Sequence, residues 1–390
     1  MGDREQISKC GVKPGMERIL HVMHDDKFND RAVIRFEEVY AGKNDYLAVC
    51  KENKRLQFIK SNQVRPVSES YVVNLLGGSS YRAVIFHSLP PLQQAVFRAV
   101  PKHTPIVWIG WGFDYYSTLL SASFPHPDGL FEPKTIAHFE LKPRNVSFRS
   151  TIKAKLRPWL GGKSPAGFSR QDYQRVSVFV PVLKAEWQLA RQENPWFKAD
   201  YRPWLYALEQ EAQFEKEIFA DAANILVGNS ASMTNNHIDS FEAIAESLLA
   251  SDYEAVIVPL SYGSPRVRDA VVKAGRHYFG AKFRPILDFL EMNAYLDLVR
   301  SCHTVFMNHV RQQALANLSY AFSWGAKVVI NQRSMLVNEF KERGLEFGLM
   351  DDPQSWQIES GVRVRNRQKQ REIRDRKRDP KILQDFIAAL

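Results

Sequence analysis

Short apolar runs recur along the chain, each followed by a segment whose apolar residues return at helical spacing, an alternation that predicts parallel α/β sheets. In the first half the runs are "RILHVM" (18–23), "YRAVIF" (81–86), "PIVWIG" (105–110) and "VSVFVPV" (176–182). In the second half they are "NILVGN" (224–229), "EAVIVPL" (254–260), "FRPIL" (283–287), "TVFMN" (304–308) and "KVVIN" (327–331). Between the two sets lies "ALEQEAQFEKEIFADAA" (207–223), acidic and polar, which reads as an interdomain segment. The pattern predicts an N-terminal Rossmann-like domain over 1–212, a C-terminal one over 213–355 and a basic helical segment over 356–390.

Polar residues gather directly after the apolar runs. "HDDKFND" (24–30) follows the first, His87 and Ser88 follow "AVIF", and "GWGFD" (110–114) follows "PIVWI". "GNSASMTNNH" (228–237) follows "NILV", and "SYGSPR" (261–266) follows "VIVPL". Open parallel sheets bind ligands outside the carboxyl ends of their strands. Both halves therefore present a candidate binding edge, and two such edges imply a cleft between facing domains.

Composition narrows the class. The chain has 390 residues, enough for two domains, with ordinary hydrophobic (45%) and charged (25%) fractions, so disorder is excluded. A formal charge of +10 favours an anionic partner: nucleic acid, a membrane surface or a phosphorylated substrate. The cysteines, Cys10, Cys50 and Cys302, are odd in number and widely spaced, which fits neither a disulfide framework nor a zinc site and suits a reducing cytoplasm. No apolar run is long enough to span a bilayer, so any membrane contact is expected to be peripheral.

Several segments carry candidate chemistry. In "ILVGNSASMTNNH", Gly228 lets the backbone approach a ligand, and Asn229, Ser230 and Thr234 suit an anion at a helix start; alternatively Thr234 or Asn235 merely caps the helix bearing Ile238, Phe241, Ile244 and Leu248. In "FMNHVRQQALANLSYAFSWGAKVVIN", Leu315, Leu318 and Phe322 share one helical face and Gly325 ends the helix. Arg311 and Gln312 are then expected at the helix N-terminus, where backbone N–H groups and an arginine favour a diphosphate, unless they form a solvated cap. This order is similar to the nucleotide-binding domain of GT-B glycosyltransferases, whose E-x-G-x-G-x-x-x-x-E segment here has Gln312 and Tyr320 at its acidic positions, a change that suits a donor with fewer sugar hydroxyls. "VWIGWGFDYY" offers aromatic faces and Asp114 for sugar recognition or base catalysis, or else a core Trp108 and a capping Asp114. His87, and Asp26 beside Asp25, are further base candidates, and no residues with metal-ligand spacing accompany the acids.

Two stretches are strongly basic. Residues 142–170 contain no acid and interleave Lys and Arg with Phe148, Leu156 and Trp159, as suits the interface of an anionic leaflet; RNA binding or a solvated face are the other readings. No RNA-binding strand motif is present, so nucleic acid is not the expected partner. Residues 363–378 read as an exposed helix with Glu372 and Asp375 supplying internal pairs, followed by an amphipathic end that docks on a domain.

Taken together, "RILHVMHDDKFNDRAVIRFEE", "WIGWGFDYY", "ILVGNSASMTNNHI" and "VRQQALANLSYAFSWGAKVVIN" resemble the bacterial TDP-N-acetylfucosamine:lipid II N-acetylfucosaminyltransferases, the 4-alpha-L-fucosyltransferases, collinearly over about residues 18 to 345. The family's Gly-x-Gly after the Arg311–Gln313 triplet is replaced here by Ala314, Leu315 and Ala316. The resemblance implies a GT-B fold, two Rossmann-like domains facing each other across a cleft. It also implies transfer of a 4-acetamido-4,6-dideoxyhexose from a TDP-sugar to a polyprenyl-diphosphate-linked saccharide, peripherally, at the cytoplasmic face of the bacterial inner membrane, in enterobacterial common antigen or O-antigen synthesis. No cofactor or metal is called for. The donor would sit against Gly228, Asn229, Ser230, Tyr262, Asn308, Arg311, Gln312 and Gln313, and Asp114, Asp26 or His87 would serve as base. A UDP- or GDP-sugar transferase, and a basic membrane- or RNA-binding protein without catalysis, are the competing expectations.

Overall fold

The structure is a computed structural model that describes residues 17–26, 28–50, 55–125, 128–141, 167–203, 211–248, 250–357 and 359–390. The expected apolar runs become strands whose side chains are buried on both faces, as parallel sheets covered by helices require. Among the described residues they form two sheets in separate compact units.

The first unit takes residues 1–115, 156–207 and 379–390. Its strands are β1 (Ile19–Met23), β2 (Asn44–Val49), β3 (Val64–Val67), β4 (Ala83–His87), β5 (Ile106–Ile109), β6 (Val176–Val180) and β7 (Asp200–Tyr201). They pair in parallel in the order β3-β2-β1-β4-β5-β6-β7. One core cluster joins Ile19, Phe36, Ile85 and Val107 to Leu383, Phe386 and Ile387 of the last helix, Pro380–Ala388. That helix is the amphipathic end expected to dock on a domain.

The second unit takes residues 116–155 and 208–378. It contains β8 (Asn224–Val227), β9 (Val256–Pro259), β10 (Phe283–Ile286), β11 (Cys302–Met307), β12 (Lys327–Ile330) and β13 (Gly348–Leu349), parallel in the order β10-β9-β8-β11-β12-β13. Both sheets thus run 3-2-1-4-5-6 from their own first strand, the doubly wound order with its switch point between strands one and four. In the first unit the switch lies between β1 and β4, and in the second between β8 and β11.

The division of the chain differs from the expected 1–212, 213–355 and 356–390. Residues 116–141 pack on the second unit: Asp239 accepts from Lys134 N (2.7 Å) and Thr135 Oγ1 (2.6 Å), and Arg333 pairs with Glu132 at 2.8 Å. The described part of the acidic stretch 207–223 belongs to the second unit's fabric rather than to a linker. Phe214 is buried and stacks on Tyr320 with centroids 5.0 Å apart, while Ile218 N donates to Trp324 O. The basic run forms the helix Ser360–Arg378, which is less solvated than expected. Asn366 exchanges two hydrogen bonds with the Glu346 backbone, and Arg363 and Arg367 donate to the carbonyls of Gly325 and Ser323, the C-terminal end of the helix Leu315–Trp324, where cations are favoured. The other basic stretch, 142–170, lies outside the described residues up to 166.

Candidate functional site

In the second unit, β8 delivers the chain to Gly228 at φ +69°, and Gly228 N donates to Phe306 O of β11, closing the switch point. The glycine is required by its neighbours as well as by its φ. A Cβ there would lie 2.6 Å from His237 Nε2 and 2.7 Å from Asn235 Oδ1. Asn235, fully buried, organises the turn: its amide donates to Ser230 O and Oγ and to Ser232 O, while its carbonyl oxygen accepts from Asn229 N (2.9 Å) and lies 2.8 Å from His309 Nε2. Burial holds both His309 and His237 well below the ordinary histidine range, and Arg311 adds to the effect on His309, so both rings are neutral. A neutral His309 therefore carries its proton on Nε2, the nitrogen that donates to Asn235.

Above this buried layer runs a half-exposed chain of neutral groups. Thr234 Oγ1 donates to Gln313 Oε1 (2.8 Å), Gln313 Nε2 to Asn229 Oδ1 (2.9 Å), and Asn229 Nδ2 to the Tyr262 hydroxyl (3.1 Å). It links the ends of β8, β9 and β11. Asn308 lies one layer deeper: its carbonyl accepts from Asn236 Nδ2 and its side chain from Asn331 Nδ2. Asn331 also donates to Glu132.

The helix expected at Arg311 begins later. Residues 311–313 form a loop, Ala314 takes a left-handed N-cap position at φ +56°, and Leu315–Trp324 is the helix, with no side-chain cap. Gln312 is buried and its N–H donates to the Tyr116 hydroxyl at 3.2 Å, whereas Arg311 and Gln313 are half-buried. Thr234 and Asn235 precede the helix His237–Ser247 in a short turn, and Asn236 at φ +48° holds the N-cap position without a capping side chain. Of the expected donor residues, Asn229, Tyr262 and Gln313 meet directly. Gly228, Ser230 and Asn308 shape the layer beneath, and Arg311 and Gln312 lie in the loop between β11 and its helix. Sequence reasoning missed Tyr116, Glu132 and Asn331, because their partners lie far along the chain.

The first unit's switch edge is built differently. Asp114 is buried and its carboxylate accepts from Trp108 Nε1 (2.8 Å), Trp111 N (2.9 Å) and Leu89 N (3.0 Å). Burial raises its carboxyl above the usual range, and these donors oppose the rise. Asp114 therefore clamps the loops after β4 and β5, with Trp108 wholly in the core. His87 is wholly buried and lies 3.0 Å from His21 Nδ1. Asn44 Nδ2 donates to Glu37 Oε1 and Tyr40 O, which turns its oxygen toward His21 Nε2. His21, pushed by burial to about 3, is neutral and protonated on Nε2. His87 is neutral too, so it donates from Nε2 to His21. Neither Asp114 nor His87 meets solvent as a base open to substrate would. Asp26 is half-exposed and lies just before the helix Asn29–Val39, its carboxylate accepting from Phe28 N (3.0 Å) and its backbone carbonyl from Asn29 N, while Asp25 accepts from the backbone of Gln57, Phe58 and Ile59. A residue not singled out from sequence stands beside it: half-buried His24, with Nδ1 3.0 Å from Ser88 Oγ and its ring 4.9 Å from that of Trp111. Ser88 holds φ +81°, a strained conformation at the end of β4.

Comparison with known proteins gives the family and the fold. The family described as 4-alpha-L-fucosyltransferase, glycosyl transferase group 56, matches residues 173–381, more than half of the chain. The chain belongs to that family. This group 56 protein is a glycosyltransferase, and its matched span contains every residue of the second unit's candidate site from Gly228 to Asn331, while His24, Asp26, His87 and Asp114 lie before it. Solved structures of similar fold include alpha,alpha-trehalose 6-phosphate synthase from Burkholderia multivorans (9% identity, TM-score 0.57, 96% of each chain covered). HepE of Anabaena, solved in complex with UDP and glucose, is 10% identical with TM-score 0.56, covering 96% of this chain and 98% of that one. WaaG, a glycosyltransferase involved in lipopolysaccharide biosynthesis, is 11% identical with TM-score 0.53, covering 95% and 99%. At such identities the likeness concerns fold, and the fold is GT-B.

Proposed function

We propose that this group 56 glycosyltransferase moves a 4-acetamido-4,6-dideoxyhexose from a TDP-sugar to a polyprenyl-diphosphate-linked saccharide at the cytoplasmic face of the bacterial inner membrane. The observation that carries this reading is the carboxyl edge of the second sheet at its switch point, where the Gly228–Ser230 turn, the Arg311–Gln313 loop and an uncapped helix converge. Backbone N–H groups and a helix dipole there favour a diphosphate, and Arg311 supplies the pairing cation. Negative charge grows on that diphosphate as the glycosidic bond breaks, so groups already fixed there lower the barrier. Neutral Asn229, Gln313 and Tyr262, in place of carboxylates, suit a sugar with few hydroxyls. On the first unit, half-exposed Asp26 and His24 are the groups open to an acceptor hydroxyl, with Asp114 and His87 acting as supports beneath them.

Membrane association rests on the basic stretch 142–170 and the lipid-linked acceptor the resemblance implies. Among the described residues no helix is long and apolar enough to cross a membrane. Sedimentation with anionic vesicles tests it.

A UDP-sugar donor is the second reading, favoured by the UDP in the HepE complex. Thermal unfolding with TDP, UDP and GDP in parallel separates the two: ligand at a hundred times its Kd adds about 2.7 kcal/mol. Stabilisation by TDP above the others is expected, and stabilisation by UDP or GDP alone discards the TDP donor. Arg311→Ala should cut turnover at least about a hundredfold while leaving the unfolding temperature unchanged. Near-normal turnover would remove Arg311 from the reaction.

A further inference from the structure

We propose that the groove between the helix Lys184–Glu193 and the edge strand β7 is a phosphate-binding site, in which Lys184, Arg191 and Arg202 hold a phosphate group carried by a membrane lipid or by a soluble phosphate compound. The groove has a volume of about 540 Å³, within the range of small-ligand clefts. It belongs wholly to the first unit and stands away from that unit's switch point. In the order β1-β4-β5-β6-β7 the edge strand lies four spacings from β1, or about 19 Å at about 4.8 Å each. A phosphate held there is beyond direct reach of His24 and Asp26, which follow β1.

The helix supplies one wall. Lys184, Trp187, Gln188 and Arg191 fall at i, i+3, i+4 and i+7 and so share a face. Trp187 is fixed there: its Nε1 donates to Ala199 O at 2.8 Å, and its ring lies 5.7 Å from that of Tyr201. The Arg191 guanidinium stands over the indole, 5.2 Å from the ring centroid. A guanidinium stacked on an aromatic face keeps in-plane N–H groups for a phosphate, which it can grip through two parallel hydrogen bonds. The edge strand supplies the other wall. Asp200 and Tyr201 pair with Val178 and Phe179 of β6, so Arg202 leaves a sheet rather than a loose loop.

Charge separates this groove from an ordinary solvated face. Among the described residues none of Lys184, Arg191 and Arg202 forms an ion pair, whereas Arg18, Lys43 and Arg98 of the same unit are each tied to a carboxylate. Of the residues lining the groove only Asp200, itself exposed, is acidic. Three cations drawn from two elements therefore face one carboxylate. A phosphate monoester or diphosphate has the charge and the oxygen atoms to engage all three cations, and a single carboxylate has not.

The test compares the full chain with a groove variant, Lys184→Gln/Arg191→Gln/Arg202→Gln, and with a variant of equal charge, Lys60→Gln/Arg65→Gln/Lys102→Gln, altered at exposed positions elsewhere on the same unit. Each is sedimented with vesicles containing phosphatidic acid or phosphatidylserine at matched surface charge, and titrated calorimetrically with inorganic pyrophosphate. Pyrophosphate bound in the second unit contributes equally to all three proteins, so the donor reading is not at stake. Wild type should favour phosphatidic acid about fivefold; the groove variant should lose that preference, and the equal-charge variant should keep it. Arg191→Lys, which keeps the charge and the fold, should weaken it about threefold. A groove variant that loses pyrophosphate binding and leaves vesicle binding as in wild type would support the site with a soluble phosphate compound as its ligand. Equal losses of vesicle binding in the two triple variants, with pyrophosphate binding unchanged in both, would overturn the proposal and leave a solvated basic face. Wild-type behaviour of Arg191→Lys and of the groove variant in every assay would overturn it as well.

Discussion

Ala314 occupies the left-handed region, at φ +56°, where the resembled family carries glycine. An L-residue there costs about 1–2 kcal/mol, part of which glycine returns through its greater freedom in the unfolded chain. Ala314→Gly should therefore raise stability by up to about 1 kcal/mol in urea unfolding; a loss would mean that the methyl group packs usefully. The buried histidines give a second expectation. His21 and His237 are held at about 3, chiefly by burial, against an ordinary 6.5, and so stay neutral in the fold. Below 6.5 the unfolded chain binds their protons and the folded chain does not, so stability is full above 6.5 and declines as pH falls toward 3. Each ring contributes about 1.4 kcal/mol per pH unit within that window. Urea midpoints should be level above neutrality and fall through mild acid; a level midpoint down to pH about 5 would show these rings protonating inside the fold.

At the level of elements, the helix Pro380–Ala388 belongs to the first unit's core through Leu383, Phe386 and Ile387, each almost wholly buried. Leu383→Ala should cost about 2–5 kcal/mol, measured by chemical denaturation, whereas Lys381→Ala, on the exposed face, should cost little. Strands buried on both faces were plainly legible in the sequence, because a continuous apolar run has few other uses. Those missed lack that signature: β2 opens with Asn44 and Asp45, β3 is "VRPV" at the sheet edge where Pro66 is tolerated, and β7 and β13 are two residues each. The site was legible as far as local order goes, since Asn229, Tyr262 and Gln313 each follow a strand. The start of the last site helix was misjudged because Ala314 gives no local sign of its left-handed turn. Asp114 and His87 look like bases in a sequence, and only the structure shows both buried, with the Asp114 carboxylate held by three N–H donors.

At the level of the whole molecule, the units are not consecutive pieces of chain. Tyr116, whose hydroxyl accepts from Gln312 N, and Glu132, which holds Asn331 and Arg333, reach the second unit from before residue 156, while the last twelve residues complete the first. Pairings separated by nearly two hundred residues have no periodicity to betray them. Separate expression of 1–212 and 213–390 should thus yield two incomplete cores, with poor solubility and broad thermal transitions. Fragments that each melted sharply and alone would refute this dependence.

The position of the last helix also orders events during synthesis. The first unit's sheet is fully made once Tyr201 has emerged, yet the patch that Leu383, Phe386 and Ile387 cover must wait for the helix Pro380–Ala388. At ribosomal speeds that delay is about 10–40 seconds, during which Ile19, Phe36 and Ile85 belong to a nascent domain without its closing piece. A chaperone that samples nascent chains would find its longest opportunity there, and a chain cut short before Leu383 would carry both sheets and yet stay open at its oldest core.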